Sequence, residues 1–99
     1  MKIDFSQELL NLKGEPLLDQ DTNKPVTLSI VCVEALLAVD KTAVVEGVEK
    51  LSRYNLALAI HKGDKDSLTA EEVVLLKELV GKYYSTIIVG QVYTMLDGS

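Results

Sequence analysis

From Thr27 onward the apolar residues of this chain recur every three or four positions, and before Thr27 they do not. The first stretch with helical spacing runs from residue 28 to 39. Leu28, Val31, Cys32, Ala35, Leu36 and Val39 form one stripe, with Ile30, Val33 and Leu37 beside it and Thr27 as the N-cap. A stripe that wide predicts a central helix. The polar "DKT" at 40 to 42 punctuates, and a second helix is predicted from Ala43 to about His61. Val44, Val48, Leu51 and Leu58 lie on one side of it, and Glu46, Glu49, Lys50 and Arg53 form its solvated side. Gly63 follows as a C-terminal cap, and "GDKDS" forms a polar loop.

The third helix carries the strongest start signal. In "LTAEE" the Thr69 hydroxyl can accept from the N–H of Glu72 while the Glu72 carboxylate reaches back, and Leu68 can staple onto Val73. This helix runs to about Tyr84, with Val73, Leu76, Val80 and Tyr83 on one face and Leu75 and Leu79 adjoining. Ser85 or Thr86 then caps a fourth helix, in which Ile88, Val92 and Met95 align, Val89, Tyr93 and Leu96 flank them, and Gly98 ends the run. Gly81 and Gly90 interrupt these two helices at a cost of about 1 kcal/mol each relative to alanine. Two readings are open for this pair: a close approach by a partner helix, or ordinary internal packing or a break near Gly81.

Residues 1–26 have a different character. They hold both prolines, the turn-like "KGEP" at 13 to 16 and the polar run "DQDTNK" at 19 to 24. Ile3 and Phe5 alternate with polar neighbours, and apolar residues flank Lys13-Gly14, so a β-hairpin or a pair of short strands is expected, lying against the helices. The sequence therefore predicts a mainly α (α+β) fold in one domain over 1–99. A strand, hairpin and loop segment at 1–26 precedes a helical part at 27–99 packed as a small four-helix bundle. No internal repeat stands out.

Composition fits that picture. With 47% apolar and 25% charged residues over 99 positions, the chain has the balance of an ordinary globular domain. Its apolar runs are broken well short of the ~20 residues that a bilayer-spanning helix needs. Asp4 and Glu8 interrupt the region that a secretory signal would keep apolar, so a cytoplasmic location is expected. A net charge of −5 disfavours direct nucleic-acid binding, which depends on cationic side chains neutralising phosphates.

The search for chemistry ends without a catalytic constellation. Asp19, Asp21 and Asn23 occupy the first, third and fifth positions of a calcium loop, but the sixth, which needs glycine, is Lys24, and the twelfth, which needs glutamate, is Ile30. One cysteine and one histidine cannot furnish a zinc site of the usual ligands. Cys32 in an apolar helix reads as an inert thiol, and His61 at a helix end as a partner for the last carbonyls. Glu71-Glu72 is explained by the cap. The expectation is no enzyme, no cofactor and no metal. What remains is recognition: Tyr83, Tyr84 and Tyr93, close together on successive helices, are candidate contact residues, with burial in the core as the competing reading.

An opening "MKIDFSQELLNLKGEPL", a middle "EGVEKLSRYNLALAIHKGD" and an ending "LTAEEVVLLKELVGKYYSTIIVGQVYTMLD" resemble, in overall layout, small proteins of tailed bacteriophages and prophages. The resemblance covers most of the chain and implies a protein made in the cytoplasm of an infected bacterium. Many such proteins act stoichiometrically, as tail or head assembly factors, as minor components of the virion, or as inhibitors of a host factor. It therefore implies protein partners from phage or host, self-association among them, with a role in virion assembly. The alternative is a small regulator of a host or phage DNA-transaction protein. No site residues carry over from the resemblance.

Overall fold

A computed structural model describes residues 2–38 and 44–97. Among the described residues four helices follow one another in the order the periodicity predicts: α1 (Leu28–Leu37), α2 (Gly47–Lys62), α3 (Ala70–Tyr83) and α4 (Thr86–Asp97). Two expected ends overshoot: α1 stops at Leu37, with Ala38 already extended, rather than running to 39, and α2 starts at Gly47 behind Glu46 rather than at 43; the "DKT" punctuation and the Gly98 stop lie outside the described residues. Helix α1 packs against α2 and α3, and α4 packs on α3. The Cα radius of gyration, 13.3 Å, is that of a compact chain of this length.

The helix ends follow from their sequences. Thr27 is extended, and its hydroxyl accepts from the Ile30 N–H at 3.3 Å. Thr69 and Glu72 complete a reciprocal capping box, the Glu72 N–H donating to the Thr69 hydroxyl at 3.1 Å and the Thr69 N–H to the Glu72 carboxylate at 2.8 Å. Burial works to raise the Glu72 pKa, but the Thr69 N–H and the Lys65 ammonium, 3.2 Å away, stabilise the anion and bring the net shift downward. Gly63 adopts a left-handed φ of 77° at the end of α2. Its N–H donates to the Ile60 carbonyl and the Asp64 N–H to the Ala59 carbonyl, the paired bonds of a Schellman cap.

One core runs through the molecule. Ile3, Phe5 and Leu9 from the N-terminal segment join Val31 and Leu36 of α1, Leu56 and Ile60 of α2, Leu76 and Val80 of α3, and Val92 and Leu96 of α4. On α1 the stripe residues Leu28, Val31, Cys32, Ala35 and Leu36 are buried as expected, whereas Ile30 and Leu37 beside them are exposed. The second helix departs from expectation: its core-facing residues are Leu56, Ala57 and Ile60, whereas Val44, Val48 and Leu51 are exposed. Arg53, expected on the solvated side, has a side chain only 15% exposed and pairs with Glu49 at 3.0 Å. The reason lies in α2 itself, which carries apolar residues on two faces; its C-terminal half, against α1, decides which one turns inward.

The N-terminal segment also departs from expectation. Among the described residues there is no strand ladder, so the hairpin does not form as such. In its place are three isolated antiparallel bridges, Leu10 with Pro16, Leu18 with Pro25 and Glu8 with Thr27. The three short arms close on one another. The Leu9 N–H donates to the Val26 carbonyl, Val26 to Leu17, and Leu17 to Leu9, at 2.8 to 2.9 Å, forming a ring of three hydrogen bonds. Two side-chain turns link the arms: the Asn11 carbonyl oxygen accepts from the Lys13 and Glu15 N–H groups, and an Asp19 carboxylate oxygen from those of Asp21 and Thr22. The calcium-like spacing at 19 to 23 is thus used for a turn, with Asn23 at φ 59°, a conformation asparagine tolerates better than most residues.

Two interactions generate expectations for stability. Thr69→Ala removes one half of the capping box and should cost about 1 kcal/mol in urea unfolding. Leu76→Ala, at a fully buried site, should cost roughly 2–5 kcal/mol in the same measurement.

Candidate protein-contact surface

The three tyrosines are placed individually. Tyr83 and Tyr84 pack their rings against the core from the end of α3. The Tyr84 hydroxyl donates to the Glu34 carboxylate of α1 at 2.9 Å; burial first, and then that carboxylate, push its pKa well upward. The Tyr83 hydroxyl oxygen is buried with no hydrogen-bond partner. Tyr93, on α4, donates to the Lys77 carbonyl of α3 at 2.8 Å, with the Lys77 ammonium 5.5 Å from its ring centre. Two of the three hydroxyls thus tie one helix to another.

The two glycines separate. A Cβ at Gly81 would sit 2.7 Å from the Tyr93 hydroxyl, whereas one at Gly90 would meet nothing within 4 Å. Gly81 therefore serves internal packing, leaving room for a hydroxyl already held by Lys77. Gly90 faces an open groove of about 580 Å³ between α4 and the Asn11–Gly14 turn. At the rim of that groove, Gln91 acts like a neighbouring strand toward Leu10. Its carbonyl accepts from the Leu10 N–H at 2.7 Å, and its amide donates to the Leu10 carbonyl at 2.6 Å.

The reactive groups are separated by burial. Cys32 is fully buried, and burial pushes its thiol up to about 12, so it stays protonated at neutral pH. His61 is exposed on the last turn of α2. Among the described residues no group of three or more histidine, cysteine, aspartate or glutamate side chains is arranged to hold a metal ion.

The most exposed apolar area lies on α1 and α2, away from the residues singled out by sequence. Ile30, Leu37, Val48, Leu51 and Tyr54 are 37%, 55%, 78%, 58% and 52% exposed, and Val44, just before α2, is 98% exposed. Between the two helices is an apolar cleft of about 240 Å³ lined by Val33, Leu37, Tyr54, Ala57, Leu58 and His61. Tyr54 was not among the expected contact residues. Its signal was nonetheless in the spacing, because Leu51, Tyr54 and Leu58 recur at intervals of three and four along α2.

No family model, curated protein or solved structure matches the chain. Among the described residues no helix is long and apolar enough to cross a membrane.

Two measurements follow from these contacts. Gly90→Ala should stabilise α4 by about 1 kcal/mol, whereas Gly81→Ala should lose that gain by displacing the Tyr93 hydroxyl. A cycle with Tyr93→Phe should recover it, with a coupling of roughly 1 kcal/mol. The Cys32 thiol is neutral in the folded chain to higher pH than the ordinary 9.0. Its contribution to stability is therefore complete below pH 9 and is lost as pH rises toward about 12. The loss should reach about 2 kcal/mol at pH 10.5 in urea titrations, and Cys32→Ala should flatten that part of the pH profile.

Proposed function

We propose that this chain is a non-enzymatic phage protein that works through protein contacts, in virion morphogenesis as an assembly factor or minor structural component. The observation that carries the contact reading is the exposed apolar face of α1 and α2. Single exposed apolar residues need no explanation, but here Leu37 of α1 and Tyr54 of α2, both more than half exposed, line an apolar cleft between packed helices, with Leu51 one turn before Tyr54, the usual character of a protein-binding surface. The buried, protonated thiol of Cys32 and the structural work of Glu72 and Asp19 support the non-enzymatic side of the reading. The phage setting and the assembly role rest on the resemblance of the sequence alone.

Affinity purification of the tagged protein from infected and uninfected bacteria, with mass spectrometry, tests the role. Phage structural proteins recovered only during infection are the expected outcome. One stoichiometric host protein recovered from uninfected cells would overturn assembly in favour of a regulator of a DNA-transaction protein. Leu51→Glu, at an exposed position, should abolish capture while leaving the circular dichroism spectrum unchanged.

A further inference from the structure

We propose that residues 7–28 form a clasp with three-fold pseudo-symmetry, one corner used three times, and that α1 springs from the third corner where the other two carry a turn. The clasp holds whether or not the chain binds a partner.

The first two corners match bond for bond. One is Leu9-Leu10-Asn11 returning through Glu15-Pro16, and the other is Leu17-Leu18-Asp19 returning through Lys24-Pro25. In each, the N–H of the asparagine or aspartate donates to the carbonyl of the residue before proline, Asn11 to Glu15 and Asp19 to Lys24, both at 2.8 Å. The N–H of the residue after proline donates to the carbonyl of the first leucine, Leu17 to Leu9 and Val26 to Leu17, again at 2.8 Å. The second leucine is bridged to the proline, Leu10 to Pro16 and Leu18 to Pro25. Two positions before each proline stands a left-handed residue, Gly14 at φ 85° and Asn23 at φ 59°. Its N–H donates back to the Asn11 or Asp19 carbonyl, at 3.0 and 2.8 Å. Proline fits because the residues on either side of it make the bonds across the corner, so its missing N–H removes none of them. The repeat does not stand out in the sequence because its second turn is one residue longer than its first.

The third corner is the same arrangement assembled from two distant stretches. Leu9 donates to Val26 as Leu17 does to Leu9, Leu28 donates to Gln7 at 2.9 Å as Asn11 does to Glu15, and Thr27 is bridged to Glu8 as Leu10 is to Pro16. Val26, Thr27 and Leu28 thus stand for Leu9, Leu10 and Asn11, with Gln7 and Glu8 in the places of Glu15 and Pro16. Where the turn would follow, the chain enters α1. A side-chain oxygen still accepts from an amide ahead of it, now the Thr27 hydroxyl from the Ile30 N–H and one position earlier than in the other corners. A turn and a helix start leave the same kind of loose amide, and the clasp satisfies both by the same means.

Exchanging the turns tests the equivalence of the first two corners in the full chain. In one variant the three residues 12–14 are replaced by the four of 20–23, and in another the four by the three. Both should keep the circular dichroism spectrum. The six N–H to carbonyl bonds of the clasp, read as scalar couplings across hydrogen bonds in isotope-labelled protein, should persist with the same partners. Gly14→Asn and Asn23→Gly should change the unfolding equilibrium constant in urea by less than about threefold, whereas Gly14→Ala and Asn23→Ala should each raise it about tenfold, because both positions are left-handed. Failure of either exchanged chain to fold, or an alanine penalty at only one of the two positions, would overturn the equivalence. The third corner is read in the unaltered protein. Couplings from Leu28 to Gln7 and from Leu9 to Val26 are expected, and the absence of either would overturn the three-fold arrangement.

Discussion

Three N–H groups at the start of α1 are the constraint on which the rest of the structure depends. A helix leaves its first amides without internal partners, and α1 is apolar nearly all round, so its start cannot simply be left in water. The Leu28 N–H donates to the Gln7 carbonyl, Ser29 to the Phe5 carbonyl and Ile30 to the Thr27 hydroxyl. The N-terminal arm thereby caps the central helix, and in doing so places Phe5 and Leu9 in the core. The Ile3 N–H, bonded to the Asp66 carbonyl, ties the same arm to the loop before α3. One end of one helix thus organises a segment that has no ladder of its own.

The helices were legible because their signals are local. Thr27, the Thr69–Glu72 box and Gly63 act within a few residues of where they stand, and all three do in the structure what their types and positions imply. The N-terminal segment was only half legible. The turn residues at 13 to 16 and 19 to 24 do separate the bridged arms, but the alternation of Ile3 and Phe5 marks no strand, since Phe5 lies in a turn, and the closing of three arms on one another is a tertiary arrangement. The repeated Leu-Leu-Asx at 9–11 and 17–19 was its sole local trace. On α2 the difficulty was different. Both Val48-Leu51-Leu58 and Leu56-Ala57-Ile60 are apolar, and periodicity cannot say which faces inward when the neighbouring helix decides it.

The same ambiguity underlies the candidate surface. A helix with two apolar faces satisfies the core with one and leaves the other in water, a departure from the usual pattern that folds keep where contacts are needed. The tyrosines chosen from sequence illustrate the converse. Tyr84 and Tyr93 have the aromatic character of contact residues, yet their hydroxyls are held by Glu34 and Lys77. Sequence shows the residue type; it does not show that an acceptor 50 or 16 positions away has already taken the polar end.

The ring of hydrogen bonds among Leu9, Leu17 and Val26 bears on how safely the chain can be concentrated. Extended backbone ordinarily presents unpaired N–H and C=O groups that recruit other strands, the first step toward amyloid. Here the N–H and C=O of all three residues are consumed within the ring, and the Gln91 amide occupies both groups of Leu10 on the outside. Leu9, Leu10, Leu17 and Val26 therefore offer no free backbone group to an incoming strand, and templated pairing cannot begin at these positions of the extended arms.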